Sequence, residues 1–196
     1  VKLLFLDIDG VANSTGSCLA RTGERWIVPL IDNTNSKLLP MIGGEYGYGV
    51  TQTFDTIDPT AVELINRLVK KSGCHVVLSS SHRSFFVGSN YQSDFEFGTP
   101  GHIIALNLYL RLLGFDFELF GITPRLYGQR GAEVQFYVES LAANGAIIDE
   151  YVIIDDGGDF LSWQPLVRTD ATIGFTGKDY FKAAQLLGTD ESGIIV

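Results

Sequence analysis

Two cysteines, Cys18 and Cys74, are all that this chain of 196 residues contains. They share no motif spacing, which excludes a disulfide framework and a cysteine-built zinc site. Cys74, just ahead of an apolar strand, is expected in the core or at a strand edge, and Cys18 in an exposed polar loop. Neither has a neighbour that would lower a thiol pKa, so neither is expected to be a nucleophile. Histidine is also sparse, with three in all. No second histidine stands at a spacing that would make His82 a metal ligand, so His82 is expected to be structural or substrate-facing. Apolar runs stop after a handful of residues, too few to span a membrane. The apolar opening segment is short and ends in two aspartates rather than a small-residue cleavage site, so a cytoplasmic protein is expected. Basic residues are outnumbered, 14 Lys and Arg against 23 Asp and Glu, for a formal net charge of −9. Backbone affinity for nucleic acid comes from Lys and Arg, which disfavours non-specific binding of a long polyanion but leaves room for a local basic pocket. There is no internal repeat, and no G-x-G-x-x-G follows the first strand, which argues against dinucleotide binding.

What is present is an alternation of short apolar runs with amphipathic segments. Residues 3–6 read as a buried strand that stops at Asp7-Ile8-Asp9-Gly10. Asp58 and Pro59 open a helix carrying Ala61, Val62, Ile65, Leu68 and Val69, and Gly73 ends it. His75–Leu78 is a second strand, running into Ser79-Ser80-Ser81-His82-Arg83. Residues 101–113 read as a helix with Ile104, Leu108 and Leu112 on its buried stripe. Gly131 begins another helix, Tyr151–Ile154 is a third strand ending in Asp155-Asp156, Leu166-Val167 is a short fourth, and Thr176 caps a last helix at about 178–187. The expectation is one α/β domain over 1–196, Rossmann-like, with a mainly parallel sheet flanked by helices. Residues 13–57 are rich in Gly, Thr and Asn, with no helical period longer than a turn. They are expected to form a small cap-like insertion after the first strand. A second irregular region, 84–128, would border the pocket.

In parallel sheets ligands bind beyond the C-terminal ends of the strands. Three polar clusters fall there: Asp7/Asp9, Ser79/Ser80 and Asp155/Asp156. Together they hold the parts that phosphoryl transfer requires. One carboxylate can act as nucleophile and form an aspartyl phosphate. A second, two residues on, can protonate the leaving oxygen and then activate water. Clustered carboxylates repel each other and a phosphate dianion, and Mg²⁺ resolves that repulsion. Asp155 or Asp156 could complete the metal site. The Ser79 hydroxyl could hold a phosphoryl oxygen, and Arg130 at a helix start could supply the cation. Arg83 and Arg125 compete for that last role. Asp159 reads as a solvated loop residue or an indirect support of the metal site.

The motifs Asp7-Ile-Asp-Gly-Val11, Val76-Val-Leu-Ser79, Arg130 and Ile153-Ile-Asp155-Asp156 resemble, in order and placement, the four signatures of the haloacid dehalogenase superfamily of phosphohydrolases. Ser79-Ser-Ser-His82-Arg83, Gly121-Ile-Thr-Pro-Arg125 and Arg130-Gly-Ala-Glu133 are similar to the narrower group associated with RNA-repair proteins of bacteria and phages. The resemblance implies Asp7 as nucleophile and Asp9 as general acid and base. It implies Ser79, with Ser80 and Arg83 nearby, as phosphate or substrate contacts, and Arg130 as charge stabiliser. Asp7, Asp155, Asp156 and the backbone carbonyl of Asp9 would hold Mg²⁺. Two departures stand out: Arg130 replaces the more usual lysine, and His82 stands where the narrower group often has tryptophan.

The activity these residues imply is Mg²⁺-dependent hydrolysis of a phosphomonoester. A small nucleotide is the first expectation for the substrate, because loop aromatics such as Trp26, Tyr46, Tyr48, Tyr91 and Phe95 suit a compact base. The alternative is a terminal phosphate on DNA or RNA, and a third reading is a phosphate-binding module without turnover. The intact Asp9 disfavours the last. A receiver-type acidic pocket is disfavoured by the lack of a strand-end lysine.

Overall fold

A computed structural model describes residues 1–22, 56–84, 99–126 and 129–189. The elements run β1 (Lys2–Leu6), α1 (Thr15–Thr22), α2 (Pro59–Ser72), β2 (His75–Leu78), a 3-10 turn (Ser81–Ser84), α3 (Pro100–Leu112), β3 (Leu119–Ile122), α4 (Arg130–Ala143), β4 (Glu150–Asp155), β5 (Leu166–Arg168) and α5 (Gly177–Leu186). The five strands pair in the order β3-β2-β1-β4-β5, and every pairing is parallel. This is the α/β, Rossmann-like sheet that the alternation of elements predicts.

The central strands are apolar on both faces, as a sheet covered on both sides requires. Leu4, Leu6, Val76, Leu78, Val152 and Ile154 meet α2, α3 and α5 through Ile65, Leu68, Leu110, Tyr180 and Ala184. Leu3, Phe5, Val77 and Ile153 point the other way, onto Val134 and Tyr137 of α4. Burying one such Leu, Ile or Val contributes about 1.5–3 kcal/mol, so the two layers fix the sheet and the register of its strand ends. Among the described residues no helix is long and apolar enough to cross a membrane.

The helix boundaries follow local chemistry. The Asp58 side chain accepts from Thr60 N–H at 2.8 Å, Pro59 needs no donor at the first helical position, and Gly73 closes α2 at φ 64°. Thr176 and Asp179 form a reciprocal capping box on α5.

Four sequence expectations need correction. The helix over 101–113 exists, but its buried stripe is His102, Leu106, Tyr109 and Leu110, while Ile104, Leu108 and Leu112 face outward. Both stripes are apolar, so periodicity cannot choose between them, and packing on β2 and β3 does. Residues 119–122, expected to be irregular, form the edge strand β3. An eight-residue helix, α1, stands within 13–57 where no helix is predicted. Cys18 lies on it and is buried rather than exposed. Cys74 is buried as expected, and burial pushes its thiol pKa up. The rest of the expected cap, at 23–55, and the loop at 85–98 lie outside the described residues, as do the loop aromatics named above.

Candidate active site

Strand register builds the site. Leu6 of β1 pairs with Leu78 of β2 and with Ile154 of β4, and Leu78 pairs with Ile122 of β3. One residue further on, the next rung is closed by Ser79 N–H to Leu6 O at 2.8 Å, Asp7 N–H to Ile154 O at 3.0 Å and Thr123 N–H to Leu78 O at 3.0 Å. Thr123, Ser79, Asp7 and Asp155 therefore stand in a row across the top of the sheet. Leu6, Leu78 and Ile154 face the α2 side, so side-chain alternation turns the next residues toward α4. Arg130, the first residue of α4, meets them there.

Arg130 Nη1 lies 3.2 Å from Asp7 Oδ2 and 2.9 Å from Asp155 Oδ2, and it also donates to the carbonyl of Ser79. Its backbone N–H is held by Asp159 Oδ2 at 2.9 Å, and Gly131 N–H by the Asp159 carbonyl at 3.2 Å. Asp159 is thus an indirect support, fixing the α4 start on the loop after β4. Arg125, the exposed competitor, reaches Ser84 Oγ at 3.3 Å. Arg83 is buried and its Nη2 lies 2.6 Å from Glu133 Oε2. Its Nε and Nη1 have no hydrogen-bond partner among the described residues.

The carboxylates carry more negative charge than one arginine offsets. Burial raises the Asp7 pKa, and the Arg130 charge and hydrogen bonds from Ser80 and Ile8 only partly oppose it. Burial, with the Asp7 charge beside it, pushes Asp155 up to about 7. Carboxylate oxygens of Asp7, Asp155 and Asp156 all lie within 4.8 Å of one another. Three oxygen donors with excess negative charge in a low-dielectric pocket suit a hard divalent cation. The turn that presents them depends on Gly10, which has φ 71°. A Cβ there would stand 2.5 Å from the Asp156 carboxyl carbon.

Asp9 is set apart from that cluster. Its Oδ1 accepts from Asn13 Nδ2 at 3.0 Å, and its Oδ2 accepts from Ser81 Oγ at 3.2 Å and meets His82 Nε2 at 3.1 Å. Partial burial would raise its pKa, but the hydrogen bond and charge of His82, with Asn13 and Ser81, outweigh that and lower it to about 2. Two carboxylates two residues apart thus have opposite environments, as separate roles require. Ser80 turns to Asp7 as a hydrogen-bond donor and accepts from His82 N–H at 3.3 Å. The Ser79 hydroxyl is buried with no hydrogen-bond partner among the described residues, and so is that of Thr123. Unsatisfied buried hydroxyls are costly, and a substrate oxygen would satisfy them.

The structure brings Asp7, Ser79, Ser80, Arg130 and Asp155 together, with Asp156 in the cluster and Asp9 beside it. Arg83 stands one layer behind, against Glu133. Sequence reasoning missed the support of Asp9 by Asn13 and His82, and the place of Thr123 in the row. The strand-end position of Thr123 was readable only by recognising β3, whose Gly121 and exposed Phe120 hide the strand pattern.

Comparison with curated proteins finds no match, and neither does comparison with solved structures. The family model described as the HAD domain in Swiss Army Knife RNA repair proteins matches residues 3–180, from β1 to the first turn of α5. Members of the wider HAD superfamily are in general phosphatase-type hydrolases that use Mg²⁺. The order β3-β2-β1-β4-β5, the acidic cluster at the ends of β1 and β4 and this match agree, and the chain belongs to the family of HAD domains found in Swiss Army Knife RNA repair proteins.

Proposed function

We propose that this domain is a phosphomonoester hydrolase that works through a phosphoryl group carried on Asp7. The observation that carries the proposal is the row at the sheet edge. A buried carboxylate, Asp7, sits between an orphaned hydroxyl, Ser79, and a second buried carboxylate, Asp155, with the Arg130 guanidinium on the first and third.

Asp7, Asp155 and Asp156, with the Asp9 backbone carbonyl, would hold Mg²⁺. When bound, it would offset the carboxylate charge and polarise the phosphoryl oxygens. Arg130 steadies the Asp7 carboxylate and faces the negative charge on the phosphoryl oxygens in the transition state. Ser79 donates to a phosphoryl oxygen, and Arg83, paired with Glu133, supports the site from one layer behind. In the first step an Asp7 oxygen bonds to phosphorus as the bond to the leaving oxygen breaks, and Asp9 gives that oxygen its proton. The phosphoryl group beside Asp9 raises its proton affinity from the resting value. In the second step Asp9 takes a proton from water, whose oxygen displaces Asp7 and releases inorganic phosphate.

The substrate is a nucleotide or the phosphorylated end of a nucleic-acid strand, and the leaving group is the nucleoside or strand hydroxyl. Two observations favour the end of an RNA strand over a free nucleotide: the RNA-repair association of the family, and three arginines, Arg83, Arg125 and Arg130, close enough for their charges to interact in a chain of net charge −9. Phosphate release from a nucleoside monophosphate and from 5′- and 3′-phosphorylated oligonucleotides, measured with Mg²⁺ over a salt series, tests both levels. Oligonucleotide turnover that falls steeply with salt supports the strand end, whereas turnover of the mononucleotide alone supports the small substrate. No phosphate release from any of them would falsify the hydrolase reading.

A further inference from the structure

His82 takes no part in the steps above, yet both of its ring nitrogens are engaged. Nε2 lies 3.1 Å from Asp9 Oδ2 and Nδ1 lies 3.0 Å from the Tyr109 hydroxyl. We propose that His82, backed by Tyr109, is a positioning residue that holds the Asp9 carboxyl aimed at the leaving-group oxygen. The proposal rests on the phosphatase reading and deepens it.

The need arises from where Asp9 sits. It follows β1 by three residues, and its side chain is 40% exposed, so packing alone does not hold its torsions. The positioned proton donor must meet the leaving oxygen within hydrogen-bond reach, and small losses of alignment cost rate steeply. Among the described residues three side chains hold the carboxyl. Asn13 fixes Oδ1 and is itself held by the local turn, accepting from Gly10 N–H at 3.0 Å. On Oδ2 the two partners differ: Ser81 is exposed, whereas His82 is 3% exposed. Tyr109 is still more buried, on the core-facing side of α3. The ring of His82 is therefore pinned from behind by a residue that cannot move without disturbing the core. Nε2–H donates to Asp9 and Nδ1 shares a hydrogen bond with the Tyr109 hydroxyl, so one chain of hydrogen bonds joins α3 to Asp9. A histidine serving only to fill the core would be satisfied by any two polar neighbours. Here one of them is the acid that the chemistry needs oriented.

That role predicts a selective defect. A nitrophenyl phosphate releases a stable anion and needs little help from a proton donor. An alkyl ester such as a nucleoside monophosphate needs that proton as the bond breaks. The measurement is kcat and KM on both esters with Mg²⁺ for the parent, Asp9→Asn, His82→Leu, His82→Gln and Tyr109→Phe. Values of kcat/KM are compared because they report the steps up to phosphoryl transfer. We expect His82→Leu to lose roughly 10- to 100-fold in kcat/KM on the alkyl ester, mainly in kcat, with a several-fold smaller loss on the nitrophenyl ester, the same selectivity as Asp9→Asn in milder form. His82→Gln, whose amide can still donate from near the Nε2 position, should recover part of the loss, and Tyr109→Phe should show a smaller loss with the same selectivity. If His82→Leu does not fold, the other two variants decide by the same ratio. Equal losses on both esters, or lowered stability with unchanged kinetics, would overturn the positioning role while leaving the hydrolase reading intact. If the parent turns over neither ester, a 3′- or 5′-phosphorylated oligonucleotide takes the place of the alkyl ester, and a parent that releases phosphate from none of these would overturn both.

Discussion

Asp7 and Asp155 stand side by side because the Asp7 N–H donates to the carbonyl of Ile154 at 3.0 Å, one step before Asp155 on the neighbouring strand. Two buried carboxylates at one rung of a parallel sheet have a consequence for pH and metal. Asp155 is pushed from its ordinary 3.8 to about 7 by burial and by the Asp7 charge. The folded protein therefore binds this proton more tightly than the unfolded chain does. Its contribution to stability is greatest below about pH 4 and declines as the pH rises through about 7. A divalent cation held by Asp7, Asp155 and Asp156 would replace that proton. The expected result is that Mg²⁺ raises Tm more at about pH 8 than at about pH 5.5, and that apparent Mg²⁺ affinity increases through this window. Thermal melts with and without Mg²⁺ across pH check it. Asp9, lowered to about 2, behaves oppositely: its contribution is present above about pH 4 and is lost as the pH falls toward 2.

Gly10 is required twice, by its left-handed backbone and by the Asp156 carboxyl against which a Cβ would press. Gly10→Ala is expected to cost about 1–3 kcal/mol of stability and to weaken Mg²⁺ activation by displacing Asp156. Chemical denaturation and a Mg²⁺ titration of activity measure the two effects separately.

Arg130 touches Asp7, Asp155 and the Ser79 carbonyl with one nitrogen of a planar fork. Arg130→Ala is expected to lower kcat/KM by about 10²–10³-fold, the scale seen when one group stabilising transition-state charge is removed. Arg130→Lys keeps the charge but not the fork and should fall between the two. Steady-state kinetics on one phosphomonoester give the order.

Much of this centre is legible in the chain because its residues follow apolar strands directly. Asp7, Ser79 and Asp155 each come one residue after an interior strand position or at its end, so locating the strands locates the site. Helices α2 and α5 are legible for a similar reason: Asp58-Pro59, Gly73 and Thr176 act on their own neighbours in sequence. What is not legible depends on distant packing. Helix α3 carries two apolar stripes, and only contact with β2 and β3 makes Leu106 and Leu110 the buried pair. The edge strand β3 is too short and too glycine-interrupted to show a period. The partnership of His82 with Asp9 and Tyr109 joins three segments that nothing local connects.

Arg83 and Glu133 make a buried pair at 2.6 Å, and Glu133 Oε1 also accepts from Leu126 N–H at 2.9 Å. Removing one partner leaves the other charge buried. Arg83→Met alone is expected to destabilise the fold by about 3–5 kcal/mol, and the double substitution Arg83→Met with Glu133→Met by less. Urea denaturation of the parent, the two single variants Arg83→Met and Glu133→Met, and the double variant measures the coupling.

The central claim is that Asp7 carries the phosphoryl group. The most direct measurement is to quench the enzyme with acid during turnover of a phosphomonoester with Mg²⁺, digest it, and locate the added phosphoryl mass by peptide mass spectrometry. The account predicts one phosphoryl group on the peptide containing Asp7, with label and phosphate release both lost in Asp7→Asn. Turnover that persists undiminished in Asp7→Asn, or a phosphoryl group carried on another residue, would contradict it.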